Sequence, residues 1–180
     1  MLRFIMPVMA LTLGLPGSAW SADDERIKRG EYLVNTSACH DCHTPFRMGE
    51  NGPEWDMERM LSGHPENVTI TAPAPLTSPW AAASSETNTA WSGPWGVSFT
   101  ANLTPDPETG VLRDYSEAQF IDAMRSGRHL GVGRPILPPM PWPVYGQMND
   151  EDLGAIYAYL RQIPAVPNNV PEPLPPQASN

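Results

Sequence analysis

The sequence predicts an all-α fold in which an N-terminal and a C-terminal helix cross, with a long irregular loop inserted between them. Three observations lead there. Three segments carry helix caps or a 3.6-residue period in their apolar positions, small residues sit where the outer two helices would touch, and prolines interrupt the stretch between.

Residues 1–21 read as an export signal. Met1-Leu2-Arg3 gives a positive start, Phe4 to Leu15 an apolar core, and Ala19 and Ser21 supply small side chains for cleavage near Ser21/Ala22. The protein is therefore expected in the periplasm. Pro7 and Gly14 break an apolar run already too short to cross a bilayer comfortably, so no stable membrane insertion is expected. What remains suits one domain over 22–165, followed by a proline-rich, extended tail at 166–180.

The first helix is expected from about Asp24 to Ser37. The second starts at Ser116, where Ser116-Glu117-Ala118-Gln119 has the form of a capping box, and stops at Gly127, with Phe120, Ala123 and Met124 on its apolar face. The third takes Asn149 as N-cap, places Asp150, Glu151 and Asp152 in the first turn where the helix dipole favours acids, and ends before Pro164. Its Leu153, Ile156, Tyr157 and Leu160 fall at i, i+3, i+4 and i+7, which is one buried stripe. Gly30 in the first helix and Gly154 or Ala155 in the last mark a close crossing of two backbones. From residue 66 to 98 the chain is rich in Ala, Pro, Ser and Thr with isolated tryptophans, and Pro73, Pro75, Pro79 and Pro94 forbid long helices there. That segment is expected to be an irregular insertion.

Lys and Arg number 11 against 20 Asp and Glu, a formal net charge of −9. A chain this acidic is a poor binder of nucleic acid or anionic lipid. Arg113, Arg125, Arg128 and Arg134 nonetheless gather positive charge in one stretch, suited to steering an acidic partner patch.

The pentapeptide Cys39-His40-Asp41-Cys42-His43 has the C-x-x-C-H spacing at which c-type haem is attached. Two thiols one helical turn apart can each bond a vinyl group on one porphyrin edge, with the next imidazole beneath the iron. Cys39 and Cys42 are the only cysteines, so a four-ligand zinc site lacks its second pair. A redox dithiol would follow a buried strand, whereas the residues before Cys39 form a charged amphipathic helix.

An electron-transfer haem needs a ligand on its other face. Met140 is the first choice because Arg134-Pro135-Ile136-Leu137-Pro138-Pro139-Met140-Pro141 is a proline-stiffened loop, and a loop already held in shape loses less entropy in keeping a weak thioether ligand in place. Met148, His64 and His129 are the alternatives, His40 being too near the attachment site. Arg134, Trp95 and Trp142 are candidates for holding the haem propionates, and Trp80, Trp91 and Trp95 for covering the ring or meeting a partner.

The attachment motif near the start, Met140-Pro141 before a final helix, and Leu153 to Arg161 within that helix resemble a class I cytochrome c. More narrowly, Asn102-Leu103-Thr104-Pro105-Asp106, then Glu108-Thr109-Gly110, Gly127-Arg128 and Pro139-Met140-Pro141 resemble single-haem units of the multihaem cytochrome subunits of bacterial membrane-bound alcohol and gluconate dehydrogenases, from about Ile27 to Pro171. The resemblance implies one covalent haem c, His43 as proximal and Met140 as distal iron ligand, and single-electron transfer rather than catalysis. Its partners would be a dehydrogenase donor and an oxidase or cytochrome acceptor. This chain differs in carrying one C-x-x-C-H instead of several. A fixed subunit of a dehydrogenase complex and an open-site haem enzyme or gas sensor are the competing functions.

Overall fold

The computed structural model describes residues 21–176. The export signal expected over 1–21 therefore lies outside the described residues except for Ser21. Ser21 is the N-cap of helix α1 (Ala22–Thr36): its hydroxyl accepts from the Asp24 N–H, and the Asp24 carboxylate accepts from the Ser21 N–H. After Ser37 and a left-handed Ala38, the short helix α2 (Cys39–His43) carries the attachment motif. Helix α3 (Glu117–Ser126) starts in the Ser116–Gln119 capping box and ends at Gly127 in the left-handed conformation. A single turn, α4 (Trp142–Tyr145), precedes α5 (Asp150–Leu160), whose N-cap Asn149 accepts from the Asp152 N–H at 2.7 Å.

Helices α1 and α5 cross where side chains are smallest. A Cβ on Gly30 would lie 2.0 Å from the Ala155 carbonyl oxygen, so only glycine permits this approach. Around the crossing, Leu33 and Val34 of α1 join Phe120 of α3 and Leu153, Ile156 and Leu160 of α5 in one core, closed by Leu61, Leu112 and Ile163. Burying each such side chain contributes about 1.5–3 kcal/mol. Arg29 pairs with Asp152 at 2.8 Å across α1 and α5, and Arg26 with Glu117 across α1 and α3.

The fold is not all-α. It is mixed α/β, with two antiparallel sheets that the helical reading missed. Strands β1 (Phe46–Gly49) and β2 (Gly52–Trp55) form a hairpin directly after the attachment motif, with Gly49 opposite Gly52. Strands β3 (Ala83–Ser84), β4 (Ala90–Gly93) and β5 (Gly96–Phe99) form a second sheet inside and just beyond the segment expected to be irregular, Gly93 standing opposite Gly96. Each strand has four residues or fewer, too short to display a period of two. What the sequence did carry was a two-residue turn between glycines, Gly49-Glu50-Asn51-Gly52 and Gly93-Pro94-Trp95-Gly96.

Long-range hydrogen bonds stitch these pieces together. The Phe46 N–H donates to the Thr87 carbonyl at 2.9 Å, linking the hairpin to the turn between β3 and β4. The tail after Pro164 runs back over the domain: Val97 and Leu174 exchange two backbone bonds of 2.9 Å. Gly96, at φ +97°, is required there, since a Cβ would lie 2.0 Å from the Leu174 carbonyl oxygen. Asn168 is buried and its amide donates to the carbonyls of Ser62 and His64 at 2.7 and 2.9 Å.

Candidate cofactor site

The attachment helix, the proline loop, α3, α5 and the second sheet enclose one cavity of about 360 Å³. Its walls include Leu112, Phe120, Leu153, Ile156 and Leu160, the inner faces of the helices that build the core. Cys39, Cys42 and His43 line it from α2, and Met140 lines it from a loop 97 positions further along the chain. His129 and Arg134 line it as well.

Each side of the cavity is held by a backbone contact to β5 or the residues just after it. On one side the His43 Nδ1 lies 2.8 Å from the Ala101 carbonyl oxygen. A carbonyl only accepts, so Nδ1 carries the proton. Burial lowers the His43 pKa from its ordinary value, keeping the ring neutral and leaving Nε2 with a free lone pair, the form that binds a metal. On the other side the Ser98 hydroxyl donates to the Pro138 carbonyl at 2.5 Å, two residues before Met140. Beyond Met140, the Tyr145 hydroxyl donates to the Ser37 carbonyl at 2.5 Å, binding the loop to the turn that leads into α2.

The alternative ligands are placed elsewhere. His64 is buried with both ring nitrogens engaged, Nε2 donating to the Val68 carbonyl at 2.8 Å and Nδ1 lying 2.9 Å from the Thr89 hydroxyl. His40 is likewise held between Thr44 and Asn35. Met148 packs against the helical core and is not among the cavity-lining residues. His129 faces the cavity with Nδ1 at 3.3 Å from the Tyr115 hydroxyl.

Of the candidates for holding acidic groups, only Arg134 reaches the cavity wall. The Trp95 indole donates to Ser98 Oγ at 3.3 Å, and the Trp142 ring packs on Gly127. Trp91 lines the cavity instead. Which tryptophan faces inward depends on strand register, Trp91 pairing with Ser98, and no pattern in the sequence declared that register. Of the four clustered arginines, Arg113 and Arg125 pair with Asp114 and Asp150, while Arg128 and Arg134 donate to the carbonyls of Gly133 and Pro135.

The thiols do not suit redox exchange. Burial pushes the Cys39 pKa up to about 11 and raises that of Cys42, whereas a dithiol catalyst needs a thiolate near neutral pH. The donor set fits a haem: two unpaired thiols, a neutral imidazole with a defined tautomer, a thioether and apolar walls, all on one cavity.

Comparison with known proteins finds cytochrome c subunits. The chain is 31% identical over 156 residues to the gluconate 2-dehydrogenase cytochrome c subunit of Pantoea cypripedii, and 41% identical over 138 residues to the cytochrome c subunit of a quinone alcohol dehydrogenase from Gluconacetobacter polyoxogenes. This chain is a homologue of dehydrogenase cytochrome c subunits. The corresponding subunit of Gluconobacter oxydans alcohol dehydrogenase is 29% identical over 152 residues, or 84% of this cytochrome c homologue. The matches to the Pantoea and Gluconacetobacter proteins cover 84% and 77% of the chain. The chain spans only about a quarter of each relative's length, 27%, 22% and 24% in the order named. No protein-family model matches it. No helix of the described residues is long and apolar enough to cross a membrane.

Proposed function

We propose that this cytochrome c homologue is a periplasmic monohaem protein that carries single electrons between a dehydrogenase or other donor and an oxidase or cytochrome acceptor. The observation that carries the reading is the meeting of Cys39, Cys42, His43 and Met140 on one apolar cavity. Cys39 and Cys42 would hold the porphyrin edge through thioether bonds, and His43 Nε2 and Met140 Sδ would be the iron ligands. The haem supplies the one-electron iron couple.

The protein's own part is positional and dielectric. The Ala101 carbonyl fixes the His43 tautomer. The contacts of Ser98 with Pro138 and of Tyr145 with Ser37 keep the Met140 loop against the cavity without help from the ligand bond. Leu112, Phe120, Leu153 and Ile156 keep water from the apolar faces.

A fixed subunit is the second reading, favoured because the relatives named above are subunits of dehydrogenases. Absorbance spectra of protein matured with haem, oxidised and reduced and extended into the near infrared, test the first point. A c-type reduced spectrum with a sulfur-to-iron charge-transfer band supports His/Met ligation. A high-spin spectrum that shifts with carbon monoxide replaces it with an open-site haem protein. Affinity purification from native membranes and periplasm then separates carrier from subunit, a stoichiometric dehydrogenase partner favouring the latter.

A further inference from the structure

Among the described residues after Pro164, Asn168 is the buried one, 4% exposed, and its carboxamide is fully used. The amide hydrogens donate to the carbonyls of Ser62 and His64 at 2.7 and 2.9 Å, and the amide oxygen accepts from the Glu66 N–H at 3.0 Å. Leaving any of these buried groups unpaired is costly, so three bonds to one planar group hold residues 62–66 in a single arrangement. Asn168 does not line the cofactor cavity, and whatever it does there it does through other residues.

Between the two clamped carbonyls stands Gly63. Its N–H donates to the His43 carbonyl at 2.8 Å, and a Cβ on it, at φ +79°, would lie 2.6 Å from the Ala101 carbonyl oxygen. That oxygen is the acceptor of the His43 Nδ1 proton. Gly63 is therefore wedged between the backbone of His43 and the group that orients its ring. A second path reaches the same carbonyl. The Asn168 N–H donates to Thr109 Oγ1 at 3.0 Å, and that oxygen also accepts, at 3.1 Å, from the amide of Asn102, the residue after Ala101.

We infer that Asn168 is a positioning residue for His43, holding the Ala101 carbonyl on Nδ1 from a tail more than a hundred positions further along the chain. The inference rests on the haem reading, in which His43 Nε2 binds iron. A firm hydrogen bond at Nδ1 fixes the ring and makes Nε2 the stronger donor, so the grip of Asn168 on Ser62 and His64 is felt at the ligand itself.

The test is NMR of the reduced, haem-loaded protein labelled with nitrogen-15, reading the His43 Nδ1–H resonance. Asn168→Ala should move it upfield, as a weakened hydrogen bond does, and Asn168→Ser, which keeps one donor on a shorter stem, should move it the same way by less. Two controls should leave it in place: Asn169→Ala, the exposed neighbour, and Ile163→Ala, which empties the core just before the tail without lining the cavity. A resonance that stays put in Asn168→Ala overturns the inference and leaves the haem reading standing. So does one that Ile163→Ala moves equally, since the effect would then be a general loss of packing. If Asn168→Ala does not mature, Asn168→Ser alone decides. Failure of the unsubstituted chain to acquire haem under attaching conditions overturns the haem reading and this inference together.

Discussion

The Ser98 hydroxyl and the Pro138 carbonyl oxygen are 2.5 Å apart, so the strand that ends beside the attachment helix also grips the loop carrying Met140. Removing one neutral hydrogen bond costs about 1 kcal/mol, roughly fivefold in an equilibrium. Ser98→Ala should therefore leave the haem attached but make the thioether detach more readily. The near-infrared sulfur-to-iron band should fade at a lower temperature than in the unsubstituted protein. An unchanged melting of that band would mean that the prolines alone hold the loop.

Two methionines flank α4 and only one lines the cavity. Met140→Ala should abolish the sulfur-to-iron band and lower the midpoint potential. Met148→Ala should keep both and lose about 2–4 kcal/mol of stability at most, because Met148 packs with the core. Redox titration and urea unfolding of the two variants separate ligand from filler. A potential unmoved by Met140→Ala would pass the ligand role to another residue, His129 being the other histidine on the wall besides His43.

Gly30→Ala sets two effects against each other. Alanine improves helix propensity by about 1 kcal/mol, but its Cβ would meet the Ala155 carbonyl at 2.0 Å, a backbone atom that cannot yield without moving α5. The clash should win, with a net loss of about 2 kcal/mol or more in urea unfolding. A neutral or stabilising result would mean that the α1–α5 crossing is looser than this.

His64 makes stability pH-dependent. It is buried, and burial lowers its pKa from an ordinary value near 6.5. The unfolded chain therefore binds the proton more readily, so this contribution is complete above pH 6.5 and is lost as the pH falls from there through the folded value. His40, His43 and His129 are shifted the same way and, in the chain without a bound metal, act with the same sign. His64→Gln should make unfolding free energy less steep between neutral and mildly acidic pH without removing the dependence. A slope identical to that of the unsubstituted protein would assign the effect to the other three.

The helices were legible because their signals are local. Ser116 with Gln119 and Asn149 with Asp152 each satisfy backbone groups within three residues, and the apolar stripe of α5 repeats within one helix, whereas the Ser21 cap of α1 fell in the stretch read as an export signal and the start at Ala22 was missed by two residues. The helical turn of Cys39–His43 was legible for the same reason, being five consecutive residues. The strands were not. β4 and β5 are made by pairing with each other and with Leu174, and a four-residue segment bounded by glycine and proline looks irregular until its partner is known. Trp91 was named only among several tryptophans, since its facing follows from that register.

The sequence alone determined where α3 and α5 start, that small residues of α1 and α5 would meet, and that Cys39, Cys42 and His43 share one short helix, because each depends on spacing within a turn or two. Tertiary structure alone decided that the fold is mixed α/β, that Met140 and not Met148 lines the cavity, and that Trp91 and not Trp95 does so. Those outcomes depend on hydrogen bonds such as His43 to Ala101 and Ser98 to Pro138, whose partners lie tens of residues apart and come together only when the chain closes on its core.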